Sequence, residues 1–336
     1  MKTYAEQGSA VARQVVKLMT ALAKAQEDLK SLPREDRFLY RDEVYDLTGQ
    51  LVWALVESER CEEALVFARK LPKNTHFGVR HLCEGTALEE LGRFDEARVI
   101  LEKGLSRHRE SVPMLNCLGL CYSGLNRFND ALDCFDSARM LDPREPKILF
   151  NKAVALFNLS LYEDARDIVT KLLKKCPGDP MYNALAGHCY TYMGYPDDGA
   201  KSLKAALDCG DDDPMTYDTL YWAYRYMGLL NDAIAQAQEG IRKYPETYPN
   251  LYRDLAGGYL ELAWVDDARE VVKKGLAVFP DDPDLKELQV ALDEDPGDYG
   301  GDEATEKPEP IIVLIRDPRQ RNKVKRIHSG SMVSCE

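Results

Sequence analysis

The chain has 336 residues, 44 Lys plus Arg against 57 Asp plus Glu, and a formal net charge of −13. So acidic a chain is a poor ligand for nucleic acid, whose binding rests on neutralising phosphates with Lys and Arg. Hydrophobic residues make up 45%, which excludes wholesale disorder. No apolar run approaches the ~20 residues that span a bilayer, and no signal-peptide stretch precedes a small-residue cleavage site.

Nine cysteines are scattered without a C-x-x-C pair. In a chain with no evident leader that spacing fits reduced thiols and predicts a cytoplasmic protein.

From residue 4 to 31 apolar side chains recur at helical spacing: Val11, Val15, Leu18, Met19, Leu22 and Leu29. Leu32-Pro33 ends that helix, which is read as an N-terminal cap within a lead-in of residues 1–44. A repeat follows. Leu118-Gly119-Leu120-Cys121-Tyr122 with Ala131, Phe135, Ala138 and Pro143 returns 34 residues later as Ala153, Leu156, Ala165, Val169, Leu172 and Pro177. Further copies carry Gly187 and Gly199, then Tyr221 and Ala233, then, after one inserted residue, Ala256 and Ala268. Earlier copies hold Gly85 and Ala97, and more weakly Val52 and Ala64. The spacing predicts seven units, 45–77, 78–111, 112–145, 146–179, 180–213, 214–248 and 249–282.

Each column has a physical reason. The eighth and twentieth positions fall on two successive helices. The twentieth reads Ala64, Ala97, Ala131, Ala165, Gly199, Ala233 and Ala268, small enough for antiparallel helices to approach closely at their crossing. Turn residues such as Gly92-Arg93, Gly124-Leu125-Asn126 and Gly228 separate the helices. Pro143, Pro177, Pro245 and Pro280 close the second helix.

The unit Leu115-x2-Leu118-Gly119-x2-Tyr122, then Ala131-x3-Phe135 and Pro143, resembles a tetratricopeptide repeat. Departures are Tyr221 at a usually small position, Gly199 for Ala, and the charged Glu84 and Lys152 in a usually apolar column. The resemblance implies an all-α, right-handed α-solenoid of about seven helix-turn-helix repeats with capping helices. After Pro283 a C-terminal capping helix is expected, so the array with its cap occupies 45–293. Residues 294–336 then read as a flexible acidic linker, a β-prone run Ile311–Ile315 and a basic cluster from Arg316 to Arg326.

No catalytic motif is visible: no HExxH, no phosphate-cradling glycine loop and no GxSxG. The protein is therefore read as a non-enzyme without a cofactor. Cys83, Cys117 and Cys121 are the best metal candidates. The column of Cys121, however, also holds Ala54, Ala87, Ala155, Cys189, Ala223 and Gly258, so cysteine there is another small buried residue and no metal site is expected.

The resemblance further implies that the second, fifth, ninth, twelfth and thirteenth positions of each first helix face a concave groove. A peptide-binding set is expected at Lys147, Phe150, Phe157, Met181, His188, Tyr192, Met215, Trp222, Arg225 and Tyr226. Aromatic, Met and Arg side chains of this kind are enriched in interface cores. The competing reading is that the aromatics merely cover neighbouring helices. Where some family members clamp a C-terminal carboxylate with Lys and Asn, this chain has Asn116, Phe150, Ala184 and Asp218, which argues against that mode. The expected function is a protein–protein interaction scaffold or adaptor binding a protein or peptide ligand. A secretion or assembly chaperone, or a regulatory subunit of a separate enzyme, are the alternatives. Neither a nucleic-acid partner nor an integral membrane segment is expected. The basic segment 311–326 is read either as an exposed tail, binding a partner, an acidic membrane or nothing, or as a segment that contacts the chain's own groove.

Overall fold

A computed structural model describes residues 4–33, 35–71, 78–211 and 213–294. The sequence expectations about residues 295–336, including the acidic linker and the groove contact of 311–326, lie outside them.

Among the described residues the fold is all-α, with no strand. The long helix α1 (Tyr4–Ser31) is followed by first and second helices in alternation: α2 (Arg37–Glu57), α3 (Cys61–Lys70), α4 (Val79–Glu90), α5 (Phe94–Leu105), α6 (Val112–Gly124), α7 (Phe128–Leu141), α8 (Pro146–Asn158), α9 (Tyr162–Leu173), α10 (Pro180–Tyr192), α11 (Pro196–Asp208), α12 (Pro214–Tyr226), α13 (Leu230–Lys243), α14 (Asn250–Glu261) and α15 (Val265–Val278). Helix α16 (Pro283–Glu294) closes the series. Two compact units emerge, the first ending at Leu159 and the second starting at Ser160.

Within each unit every helix packs on the next, and first helices also pack on first helices: α2 on α4, α4 on α6 and α6 on α8, then α10 on α12 and α12 on α14. The reason lies in the small columns. Ala64, Ala97, Ala131, Ala165, Ala233 and Ala268 are fully buried. A Cβ on Gly119 would stand 2.5 Å from the Phe135 ring, and one on Gly85 or Gly187 equally close to Leu101 or Leu203. The missing side chain of one helix is thus the seat of a large apolar residue of its partner, the ridge-in-groove contact that burial of apolar surface drives.

One backbone feature fixes the hairpin turn. Glu59, Gly92, Asn126, Ser160, Gly194, Gly228 and Ala263 all hold a left-handed conformation, with φ between 57° and 87°. They share the fifteenth column. The next residue's N–H reaches back to a carbonyl five residues earlier, as in Arg93 to Leu88 and Trp264 to Tyr259, both 2.9 Å. This is the Schellman way of satisfying orphan carbonyls at a helix end.

The departures from the repeat pattern are accommodated. Glu84, in a usually apolar column, is bonded by Arg69 of the preceding hairpin at 3.0 Å, and Lys152 by Asp136 at 2.6 Å. Tyr221 is fully buried, with its hydroxyl directed towards Gly258 of the next first helix, where there is no side chain to meet it.

Two substitutions separate the roles of these columns. Ala263→Gly should stabilise the chain by about 0.5–1 kcal/mol, because glycine adopts the left-handed turn without the Cβ penalty. Gly187→Ala should destabilise it by about 1–3 kcal/mol, since the added carbon meets Leu203, including its backbone nitrogen at 2.9 Å. Urea unfolding measures both, and equal effects at the two sites would refute the assignment.

Candidate functional site

In the N-terminal unit the first-helix face ends at α8. Lys147 is exposed there, while Phe150 and Phe157 are buried. Buried Asn158 donates to the Val154 carbonyl at 2.9 Å, and Asn151 donates to Asn116 of α6 at 2.9 Å. Polar side chains thus tie the face of α8 to its own backbone and to the neighbouring first helix.

The C-terminal unit holds the remaining seven expected residues on α10 and α12. Pro180 and Pro214 start these helices, and Asp179 and Asp213 cap them by accepting from the backbone N–H of Tyr182 and Met215. Helix α12 is enclosed by α11, α13, α10 and α14, so residues Met215 to Tyr224 are all buried. His188, Met215 and Trp222 lie inside that packing. Met181, Tyr192, Arg225 and Tyr226 are half-buried and reach the surface.

Three of these side chains, Trp222, Arg225 and Tyr226, form a connected cluster on α12. The Arg225 guanidinium stacks 4.8 Å from the Trp222 ring centroid, and Tyr226 lies 5.8 Å from the same ring. Arg225 is also ion-paired with Glu261 of α14. Stacking and pairing together hold the guanidinium plane in one orientation. On α10, Tyr192 packs against Tyr162 at 5.3 Å. His188 Nδ1 lies 2.9 Å from the Thr219 hydroxyl of α12, and burial pushes its pKa down to about 3. His188 is therefore a neutral strut between two first helices at ordinary pH.

Glu261, Thr219 and Tyr162 were not among the expected site residues. Glu261 occupies the thirteenth position of the seventh unit, the column that supplies Tyr192 and Tyr226, so its signal was the column itself. Thr219 carried no signal, because its sixth position is not among the columns expected to face the groove.

Cys83, Cys117 and Cys121 are packing residues, and among the described residues no group of three His, Cys, Asp or Glu side chains is placed to hold a metal ion. Burial pushes the Cys83 thiol up to about 12. Cys117 is raised well above its ordinary value, chiefly by its hydrogen bond to Cys121 and then by burial. Protonated thiols of this kind behave as packing groups.

Comparison with known proteins agrees with the hairpin geometry. The sequence model of the family described as Tetratricopeptide repeat matches residues 118–180. That stretch carries the tetratricopeptide repeat, and the solved structures share the helix-hairpin fold. A tetratricopeptide repeat protein from Parabacteroides merdae shares the fold at 18% identity with a TM-score of 0.56, covering 74% of this chain and 98% of that one. The APC/C hetero-tetramer Cut9-Hcn1 matches at 16% identity with a TM-score of 0.64, covering 82% of this chain and 52% of that one.

Among curated relatives, BBSome complex member BBS4 of Xenopus tropicalis is 23% identical over 134 residues, 40% of this chain and 26% of that protein. Intraflagellar transport protein 70A of Danio rerio is 24% identical over 200 residues, 56% of this chain and 29% of that protein. The chain therefore spans between a quarter and a third of the length of these two relatives. No helix among the described residues is long and apolar enough to cross a membrane.

The packing of α10 on α12 makes a pH prediction at His188. Its folded pKa of about 3 lies below the ordinary 6.5, so the unfolded chain binds the extra proton as pH falls. The native state should lose stability through that window, by at most about 1.4 kcal/mol per pH unit, and keep it above pH 6.5. His188→Gln, which retains a group for Thr219, should flatten this slope in urea titrations between pH 6.5 and 4. An unchanged slope would remove His188 from the account.

Proposed function

We propose that the chain is a non-enzymatic protein–protein interaction scaffold that binds a segment of a partner on the first-helix face of its repeats. The observation that carries this reading is the Trp222, Arg225, Tyr226 and Glu261 cluster. A buried aromatic base holds a guanidinium, a carboxylate and a phenol at the surface of adjacent first helices. Buried aromatic anchors with satisfied polar groups around them are what a binding hot spot requires, and holding them rigid in advance lowers the entropy lost on binding. Arg225 and Glu261 pair with each other, which favours recognition over reaction. Stacked helix pairs commonly present such extended faces to protein ligands.

Among scaffolds, an adaptor inside a multi-protein assembly is favoured over a secretion chaperone or a regulatory subunit of an enzyme. The support is the name of one curated relative, a member of the BBSome complex. Lys147, Phe150 and Phe157 on the N-terminal unit extend the proposal to a second face of the same kind.

The test is affinity capture with the full chain beside Arg225→Glu and Tyr226→Ala variants. Both positions are half-buried, so they alter the surface end of the cluster. Trp222→Ala is unsuitable, because removing a fully buried Trp costs ~3–5 kcal/mol in packing alone. Partners held by the native chain should weaken at least ~10-fold with Arg225→Glu, the loss of about 1.4 kcal/mol expected of one anchoring charged contact. Partners retained equally by both variants would place binding elsewhere.

A further inference from the structure

The sixteenth column of the repeat changes character between the two units. In the N-terminal unit it reads Arg60, Arg93 and Arg127. Each forms a short ion pair with the acid three residues on: Glu63 and Glu96 at 2.7 Å, Asp130 at 2.8 Å. In the C-terminal unit the same column reads Leu161, Tyr195, Leu229 and Trp264, and these apolar side chains are exposed by 46, 54, 41 and 49%. The acid three residues on persists as Asp164, Asp198, Asp232 and Asp267, all exposed and none in an ion pair with a described residue.

The packing does not account for the whole of this row. The residue after a left-handed turn often rests against the preceding helix end, and Trp264 does so on Tyr259 at 5.7 Å. That contact leaves about half of each side chain in water. The carboxylates are explained by the positive end of the second helix; the loss of their arginine partners is not. Neighbouring hairpins stack about 10 Å apart, so the four side chains make a track of roughly 30 Å along the turn edge of one unit, flanked by unpaired negative charge.

The chain itself supplies a segment of matching chemistry. Ile311–Ile315 is wholly apolar, and Arg316, Arg319, Arg321, Lys323, Lys325 and Arg326 follow it. The path to the track is short. Arg269, in the second turn of α15, donates to the Leu292 carbonyl at 2.9 Å, so the end of α16 lies beside the start of α15, where Trp264 stands. Sixteen residues, 295–310, separate α16 from this segment, and a linker of that length has a root-mean-square span of about 20–24 Å.

We propose that the turn-edge track Leu161–Tyr195–Leu229–Trp264 is the docking surface for the chain's own segment 311–326. The apolar run covers the exposed side chains, and the cations neutralise the carboxylates that lack arginine partners. This surface is separate from the first-helix cluster at Arg225. The basic segment seats here rather than in the groove because the turn edge lies beside the end of α16 and offers exposed apolar side chains together with carboxylates that have no arginine partner.

Hydrogen exchange on the full-length protein tests this, comparing native chain with a Tyr195→Arg/Trp264→Arg variant. Those substitutions restore the arginine–acid pairing of the N-terminal unit, and an unchanged circular dichroism melt confirms the fold. Amides of 311–326 should exchange at least ~10-fold more slowly in the native chain, as expected for a weak contact held at near-millimolar effective concentration. That protection should vanish in the variant, in Arg319→Glu/Arg321→Glu, and partly at high salt. Equal exchange in native and variant chains overturns the proposal. So does protection that rises with protein concentration, which would mean that the segment docks on another copy.

Discussion

Every hairpin depends on one steric constraint: where its two helices cross, a side chain no larger than Ala must meet a large one. Gly119 against Phe135 and Gly187 against Leu203 show it directly, with the absent Cβ only 2.5 Å from its neighbour. The same rule acts between hairpins. Gly104 is met by Met114 at 2.7 Å, Gly240 by Leu251 at 2.8 Å and Gly275 by Leu285 at 3.0 Å. Close approach raises the number of dispersion contacts per residue. It also makes each crossing specific, because a partner without the large residue leaves a void.

The turns and the charges then fix how hairpins follow one another. A left-handed residue at the fifteenth position aims the sixteenth outward in every repeat, which is why that column forms an edge at all. Between hairpins, two ion pairs occupy the same two columns with opposite polarity: Arg69 with Glu84, and Asp136 with Lys152. Exchanging these neighbours would set like charges against each other across a partly buried contact. The pairs therefore contribute less to stability than to the order in which hairpins stack.

The fold was legible because its determinants are local and periodic. Small residues at the twentieth position, glycines at the turns and prolines after the second helix recur at a spacing that a single helix pair imposes. Helix α1 ends within one residue of the break expected at Leu32-Pro33, where proline forbids continuation. The state of the inner face was less legible. Trp222 stands at a column expected to be open, yet α10 and α14 close over it. That burial is decided by residues one repeat away on either side, which the pattern of α12 does not contain. The Arg225–Glu261 pair is of the same kind, since each partner reads as an ordinary exposed charge until two repeats are stacked. Glu84 and Lys152 looked like irregularities for the same reason, their partners lying on the preceding hairpin.

Burial changes what the inner face can do. An open row of aromatics would collapse on itself or bind apolar segments with little discrimination, because hydrophobic contact is non-directional. Here the rings are packed away and the groups that reach the surface are directional: a stacked guanidinium, a carboxylate, two phenols. On the proposed function, selectivity would follow from hydrogen-bond geometry, since a partner that fails to match leaves a partly buried polar group unsatisfied at about 1–3 kcal/mol. The turn edge has the opposite construction, with apolar side chains outward and unpaired carboxylates beside them. It favours any segment that combines greasy and basic residues and discriminates weakly among them, so it suits a tethered ligand whose specificity comes from connection to the chain. On both proposals, one helix pair would carry two surfaces of different selectivity, because its inner columns are set by neighbouring repeats and its turn columns are not.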